Sequence, residues 1–420
     1  MNERLCLISN EQIKVNFTQM KITLSSRKLY SNIVYTAIFF ILLSSYPYIF
    51  FLFIPFPPIG ILLLIDLFLM GGLVLLKRRI KVLPTAFNVC FIMQMLCWGF
   101  YYTWHHDSSY LVRILLLCIT YLSILTLYNI PTGVFKFAKK YNLFILIMAI
   151  GGAMAFFLVL SSLLEPFFSF TAQDGRTVQC FGLTCTNTYL ANVIRYAGYF
   201  DEPGAMAYWG VFALSFNYLF IKNKLFTKVL MTCLLFTLSL AYYIQLVFFF
   251  LFFYVKSAKQ VVVLLFTVFL VGNGIFYLME EDSLLYRYTF SRIEFDADSG
   301  SLEGDNRSSL AEKAKAQFIK APILGIGATK MEEMDYMADN PYEILAKDGI
   351  VGMFITYLPL MIILYYKRKE FPYLAIAFIL FLGYMQRPFH INIHHYFILY
   401  LFLILTLLHS KPCQKKIKLR

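Results

Sequence analysis

The sequence predicts an all-α integral membrane protein of about 12 transmembrane helices, and three observations predict it. Hydrophobic residues make up 60% of the 420-residue chain and charged residues only 15%, too little polar surface to cover a soluble fold of this size. The hydrophobic residues fall in near-continuous stretches of about 20, the length at which a helix crosses a bilayer. Lys and Arg gather at Lys77 to Lys81, Lys136 to Lys140, Lys222 to Lys228, Lys256 to Lys259, Lys367 to Lys369 and Lys411 to Arg420, on connections that share a side and are therefore expected in the cytosol. Two long polar loops, residues 165–202 and 280–341, are then expected on the opposite side.

Residues 1–32 read as a cytoplasmic N-terminal tail. The apolar stretch that starts near Ile33 has no small-residue cleavage site behind it, so it is expected to act as a signal anchor. Residues 33–164 hold helices 1–5, read at 33–54, 59–76, 83–101, 110–128 and 142–164. Residues 203–279 hold helices 6–9. The first of these is read at 204–221 and the last at 261–279, and the apolar run 225–255 lies between them. A single long span there would put Lys222 to Lys228 and Lys256 to Lys259 on opposite sides, so a tight hairpin turning near Ser239 to Tyr243 is expected instead. Its limbs, about 15 residues each, are short of a full crossing, which suits the floor of an outward-facing, water-filled cavity. Residues 342–409 hold helices 10–12, at 343–366, 372–386 and 395–409, and residues 410–420 form a cytoplasmic tail.

The second long loop is acidic, with thirteen Asp and Glu against seven Lys and Arg between Glu280 and Asn340. Within it, Asp305 and Asn306 precede Ser309 and Glu312 at capping-box spacing, and Leu310, Ala314, Phe318 and Ala321 then share one face. This predicts a short amphipathic helix stopped by Pro322. The formal charge of +13 would suggest nucleic acid in a soluble protein, but here the basic residues carry orientation, and no nucleic-acid partner is expected. Of the cysteines, Cys90, Cys97, Cys118 and Cys233 lie in apolar spans. Cys180 and Cys185 share the first outer loop, where a small disulfide ring and two free thiols are both open.

Four constellations carry candidate chemistry. Arg195, Asp201 and Glu202 stand on a strand-like segment ended by Pro203-Gly204, immediately before a span. There Arg195 could hold a phosphate and Glu202 deprotonate a hydroxyl. An interfacial anchor with a local Arg-to-Asp pair is the alternative. Arg287, Arg292, Arg307 and Arg387, with His390 beside the last, supply planar guanidinium forks suited to pyrophosphate. Solvated charge pairing would explain each of them singly. His105 and His106 sit in one short loop and His394 and His395 in another, as interfacial residues or, for the second pair, a general base. Neither pair has a carboxylate at metalloprotease spacing, so no metal is expected. Finally, Asp66 and Arg113 lie at membrane depth, where ionisable groups pair or line a polar path.

Residues 195–213, with Arg195, Gly198, Phe200, Glu202-Pro203 and Ala205, resemble the Arg-Gly-Phe-(acid or Asn)-Pro element of bacterial O-antigen and capsular polysaccharide polymerases and the related O-antigen ligases. Arg307 and a helix, followed by Ala321-Pro322-Ile-Leu-Gly325-Ile-Gly327, are similar to the stretch that ends the large periplasmic loop of that superfamily. Asp339-Asn340-Pro341-Tyr342, with Gly349 and Gly352, is similar to its return into the membrane. Ligases carry His where this chain has Asp339, which favours a polymerase.

The resemblance implies a multi-pass protein of the bacterial inner membrane with cytoplasmic termini and periplasmic long loops. It would polymerise undecaprenyl-pyrophosphate-linked oligosaccharide units by moving the growing glycan onto the sugar of another lipid-linked unit. Arg195 with Arg307 or Arg387 would stabilise the departing pyrophosphate, and Glu202, or else Asp339 or His395, would take the acceptor proton. Arg287, Arg292 and His390 would complete the substrate-binding set. The scheme requires no metal or soluble cofactor, and its implied partners are the lipid-linked glycan, the bilayer, a chain-length regulator and a flippase. An O-antigen ligase-like glycan transferase and a non-enzymatic lipid-glycan translocase, in which Asp66 and Arg113 line a path, are the alternatives. A transferase using a monosaccharide phospholipid would need an acid pair early in an outer loop, and His105-His106-Asp107 offers one carboxylate.

Overall fold

The computed structural model of the chain describes residues 28–43, 59–77, 79–172, 175–190, 193–263, 266, 269–270, 273, 295–296, 301–302, 308–334, 340–386 and 392–409. The described chain is mostly helical. Helices α1 (Lys28–Leu43), α2 (Ile59–Leu75), α3 (Thr85–His105), α4 (Ser109–Tyr128) and α5 (Gly133–Leu160) come first. Short strands β1 (Phe168–Thr171), β2 (Thr177–Cys180), β3 (Cys185–Thr186), β4 (Tyr189–Leu190) and β5 (Val193–Ile194) follow. Then come α6 (Pro203–Phe216), a π-helical turn (Asn217–Ile221), α7 (Lys224–Leu235) and α8 (Leu240–Phe253). The second half contains a strand pair, β6 (Phe295–Asp296) and β7 (Ser301–Leu302), with α9 (Ser308–Lys320) and α10 (Ala328–Glu333). It closes with α11 (Glu343–Thr356), α12 (Leu358–Lys367), α13 (Phe371–Gln386) and α14 (Ile393–His409).

Two helices form the centre. Every residue of α6 and every residue of α14 from Ile393 to Leu407 is buried, as expected of helices that are apolar all round. Helices α4, α5, α3 and α12 pack on α14. On outer helices the apolar side chains also face outward: Phe68 of α2 is 75% exposed and Leu96 of α3 is 70% exposed. Rows of this kind are stable against lipid, not water. Four stretches are long and apolar enough to cross a membrane, Ser109–Tyr128, Gly133–Leu160, Pro203–Ile221 and Glu343–Lys367, and the chain is a helical membrane protein.

Among the described residues the apolar helices overlap the apolar stretches read from the sequence, except that α1 begins at Lys28, inside the expected tail 1–32, and the run 225–255 is two short helices that meet at residues 236–239. Four further local expectations change. Lys136 to Lys140, expected in a loop, lie in the first turns of α5 (Gly133–Leu160), where Lys139 and Lys140 lay their stems along apolar surface and their ammonium groups over Phe135 and Tyr35. Helix α9 already includes Ser308, so Ser309 is inside the helix and not its cap. Pro203 does not end a strand but opens α6, where its missing N–H costs nothing. The all-α class omits the segment 165–202, which contains an antiparallel sheet in the order β1-β2-β3 and a β4-β5 hairpin. Strands of two to four residues are too short to show an alternating pattern.

Within that sheet Cys180 and Cys185 are directly paired across β2 and β3, with Sγ atoms 2.6 Å apart and both thiols free. The shared hydrogen bond holds Cys180 below the usual thiol range and pushes Cys185 up, with burial adding to the second shift. Mild oxidation is expected to join them, lowering the free-thiol count of the unfolded, labelled protein by two until reductant is added. Closing so short a loop should stabilise the folded chain by about 2 kcal/mol, read as a higher unfolding temperature of the oxidised form. An unchanged thiol count would show that the pair stays reduced.

Candidate functional site

The segment after β5 is irregular backbone that runs inside the helix bundle. Tyr196, Ala197 and Phe200 are fully buried. Gly152 of α5 makes this approach feasible: a Cβ there would meet the Tyr196 ring at 2.1 Å. The segment is pinned by main-chain bonds in both directions, Ala197 N–H to Cys185 O at 3.0 Å and Cys185 N–H to Gly198 O at 2.7 Å, and by Gly198 N–H to Thr184 Oγ1 at 2.9 Å. Every such bond matters in a membrane protein, where lipid offers no replacement partner.

Beneath this segment lies the turn between α7 and α8. Arg195 Nη2 donates to Leu238 O at 3.0 Å, and Tyr196 OH donates to Cys233 O at 2.8 Å. Leu238 has φ +48°, a left-handed conformation that an L side chain resists, and its carbonyl is the acceptor for the guanidinium. The arginine is half-buried. Glu202 follows as the extended residue capping α6, its carbonyl accepting from Ala205 N–H at 3.1 Å, while its side chain makes no capping bond. Thus the Arg195 guanidinium is held by a backbone carbonyl, and Glu202 follows at the start of α6, a helix buried at every residue.

Helix α14 supplies the opposing wall. Consecutive residues on a helix point about 100° apart, and three of them address three different neighbours. His394 stacks on Trp209 of α6, centroids 4.0 Å apart and planes 5° from parallel, with Phe200 on it at 6.0 Å. Its Nε2 meets Tyr141 OH at 3.0 Å. His395 lies edge-on to Tyr384 at 5.1 Å, and neither of its ring nitrogens has a hydrogen-bond partner among the described residues. Tyr396 reaches the electrostatic field of Arg113. Of the two histidines that the sequence offered as a general base, the one brought to the 195–205 element is therefore His394; His395, the alternative to Glu202 in the transfer scheme, turns elsewhere.

A second polar centre is built where α11 breaks. Arg113 Nη1 pairs with Asp348 Oδ2 at 2.6 Å, both side chains fully buried, and the guanidinium lies over Trp98 at 4.6 Å and Tyr110 at 4.7 Å. Tyr110 OH donates to Asp348 Oδ1 at 2.9 Å and Tyr101 OH to Asp348 O at 2.5 Å. The pairing of Arg113 with Asp66 that the sequence left open is thus replaced by Asp348; Asp66 is buried separately on α2. Asp348 went unnoticed beside Gly349, although a carboxylate inside a predicted span was a signal for it.

The break itself is made by Gly349, at φ +66° and ψ −170°, between two helical halves. Loop 322–327 fills the gap: Ile326 N–H donates to Ala346 O and Gly327 N–H to Lys347 O, both at 2.9 Å, and Ile350 N–H returns to Pro322 O at 2.9 Å. This is the Pro322 to Gly327 motif of the sequence, now seen as the brace of a broken helix.

The α3–α4 turn clamps that brace from the other side. His105 Nε2 lies 3.1 Å from Leu324 O, so Nε2 carries the proton, and Asp107 accepts from Thr329 N–H at 2.8 Å and Ser109 N–H at 2.9 Å. Burial holds the His105 imidazole below its usual value despite the opposing Leu324 bond and nearby carboxylates. Burial raises the Asp107 carboxyl, but the Thr329 and Ser109 donors outweigh it and leave it below the usual range. A depressed histidine is neutral when folded and takes up a proton on opening, so its contribution is lost as pH falls below about 6.5, and that of Asp107 only below about 4. Amide exchange at Ile326 and Thr329 is expected to quicken, after correction for intrinsic rates, as pH falls from 7.5 to 5.5; His105→Gln should flatten that dependence.

Of the nine candidate residues, the structure places three. Arg195 rests on the Leu238 carbonyl, Glu202 caps the start of α6, and His395 is buried on α14 against Tyr384. Arg287, Arg292, Arg307, Asp339, Arg387 and His390 lie outside the described residues. Neither protein-family models nor curated proteins give a match to this chain.

Proposed function

We propose that the chain is a membrane glycan polymerase that transfers a growing oligosaccharide from undecaprenyl pyrophosphate to a second lipid-linked unit, at the side of the membrane reached by the loops 165–202 and 280–341. The observation that carries this reading is Arg195, a half-buried cation fixed to the strained Leu238 carbonyl at the floor of irregular backbone inside the bundle, one short segment from Glu202. Non-helical backbone at such depth is tolerated where it is buried in protein or lines a polar cavity. A cation held there stabilises a pyrophosphate leaving group, and an adjacent carboxylate accepts a hydroxyl proton, which is all this transfer needs.

The finer topology belongs to the same proposal: about twelve spans, both termini cytoplasmic, the α7–α8 hairpin beneath an outward cavity, and a bacterial inner membrane. The translocase alternative is less favoured, because Arg113, which would have to line its path, is consumed by a buried ion pair with Asp348. The acceptor-proton role moves toward Glu202, since His395 is enclosed by tyrosines.

The test is reconstitution. Purified chain in liposomes, given an undecaprenyl-pyrophosphate-linked repeat unit without nucleotide, is expected to yield a ladder of multiples. Arg195→Ala should lower the rate by about 100-fold or more, as removal of a preorganised oxyanion donor does, and Glu202→Gln by about 100-fold. Full activity in both variants, or substrate crossing without new glycosidic bonds, would sink the proposal.

A further inference from the structure

At the far end of α6 from Glu202 lies a cavity of about 610 Å³ that the transferase reading does not use. It is within the ~300–1,000 Å³ range of ligand cavities. The ends of five elements meet around it: the π-helical turn after α6, the start of α7, the end of α8, the start of α13 and the end of α14. Lys222, Lys224 and Lys228 line it, all exposed, and none of them forms an ion pair among the described residues. The one carboxylate in its wall, Glu370, is already neutralised by Lys367 at 2.6 Å. The cavity therefore carries uncompensated positive charge.

Its framework is fixed. Asn217 donates to Asn223 O and to Thr227 Oγ1, each at 2.7 Å, and Asn223 Oδ1 caps α7 by accepting from Phe226 N–H at 3.1 Å. Lys222 adopts a left-handed φ of +61°, and its N–H closes the π turn on Asn217 O, a local irregularity of the kind that collects at functional sites. Tyr218, Phe253, Tyr254 and Tyr373 add aromatic faces. Amphipathic rings beside lysines are the composition of the headgroup level of a bilayer.

We propose that this cavity holds the phosphate headgroup of an anionic membrane phospholipid. Ammonium groups bind phosphate as point charges, and basic pockets between transmembrane helices take such headgroups. The site is independent of glycan transfer. The full chain, purified in a zwitterionic detergent, is to be titrated with phosphatidylglycerol, with phosphatidylcholine and with inorganic phosphate, reading the unfolding temperature and the lipid retained by native mass spectrometry. Phosphatidylglycerol should stabilise the protein and be retained in preference to phosphatidylcholine. Lys222→Gln/Lys224→Gln/Lys228→Gln should weaken its binding about tenfold or more, while Lys256→Gln/Lys259→Gln, outside the cavity, should not. The single Lys224→Gln should show a smaller loss in the same direction. Equal stabilisation by the two lipids, equal loss in both multiple variants, or stabilisation by inorganic phosphate matching that of phosphatidylglycerol would overturn the proposal.

Discussion

Asp348→Ala is expected to destabilise the folded chain by about 3–5 kcal/mol, the loss that follows when one member of a buried ion pair is removed. The reason lies in what is left behind. Arg113 is completely enclosed, its Nε and Nη2 already lack hydrogen-bond partners, and Asp348 is its only carboxylate among the described residues. The Trp98 and Tyr110 faces offset part of an orphaned charge, but a cation–π contact supplies only about 2 kcal/mol even when desolvated. Tyr110 would also lose its acceptor. The loss is measurable as a lower midpoint of unfolding by sodium dodecyl sulfate in mixed micelles. Arg113→Met/Asp348→Leu is expected to recover most of it, because a well-packed apolar pair of similar volume avoids the desolvation cost altogether. If the single and double variants lose equally, the pair is not the origin of the effect.

Gly349→Ala should be of comparable size, about 3 kcal/mol or more, for a different reason. The conformation at Gly349 is one that only glycine adopts readily, and a methyl group there would lie 2.2 Å from Ile323 O and 2.6 Å from Gly325 N. Those atoms belong to the brace itself, so no flexible side chain can move aside. Gly325, within the brace, faces the break from the other side: a methyl group there would lie 2.3 Å from Lys347 O, and its alanine variant should fail in the same way. Gly72→Ala on α2, where nothing lies within 4 Å, is the control, expected to be neutral or stabilising by up to about 1 kcal/mol through helix propensity. Folded yield after extraction and the detergent-unfolding midpoint separate the two. A Gly349→Ala protein as stable as wild type would mean that the helix is continuous there.

The two effects meet at one place. The break in α11 presents Asp348 to Arg113, and loop 322–327 satisfies the backbone groups that the break exposes. His105 and Asp107 then tie that loop to the turn between α3 and α4. Changing any one of these residues should loosen the same unit, so the variants are expected to be less than additive in combination.

The sequence by itself determined where most helices lie, because a bilayer demands about 20 apolar residues per crossing and that demand is local. The short α7–α8 hairpin was legible too, since the run 225–255 could not otherwise keep its flanking lysines on one side. Arg195, Asp201 and Glu202 stood out as charged residues before a span, and Gly198 and Phe200 through the resemblance alone. Tertiary structure alone decided their surroundings: that Arg195 rests on Leu238, that Phe200 and Trp209 enclose His394, and that His395 turns to Tyr384. It also decided that Arg113 belongs to Asp348, 235 residues away, and not to Asp66. Lys347 and Asp348 interrupt the apolar stretch just before Gly349, which marks the place as unusual but does not show that the helix breaks there, and a pairing across such a separation leaves no local trace. Both exist because loop 322–327 folds back against α11, and that contact is set by packing in three dimensions.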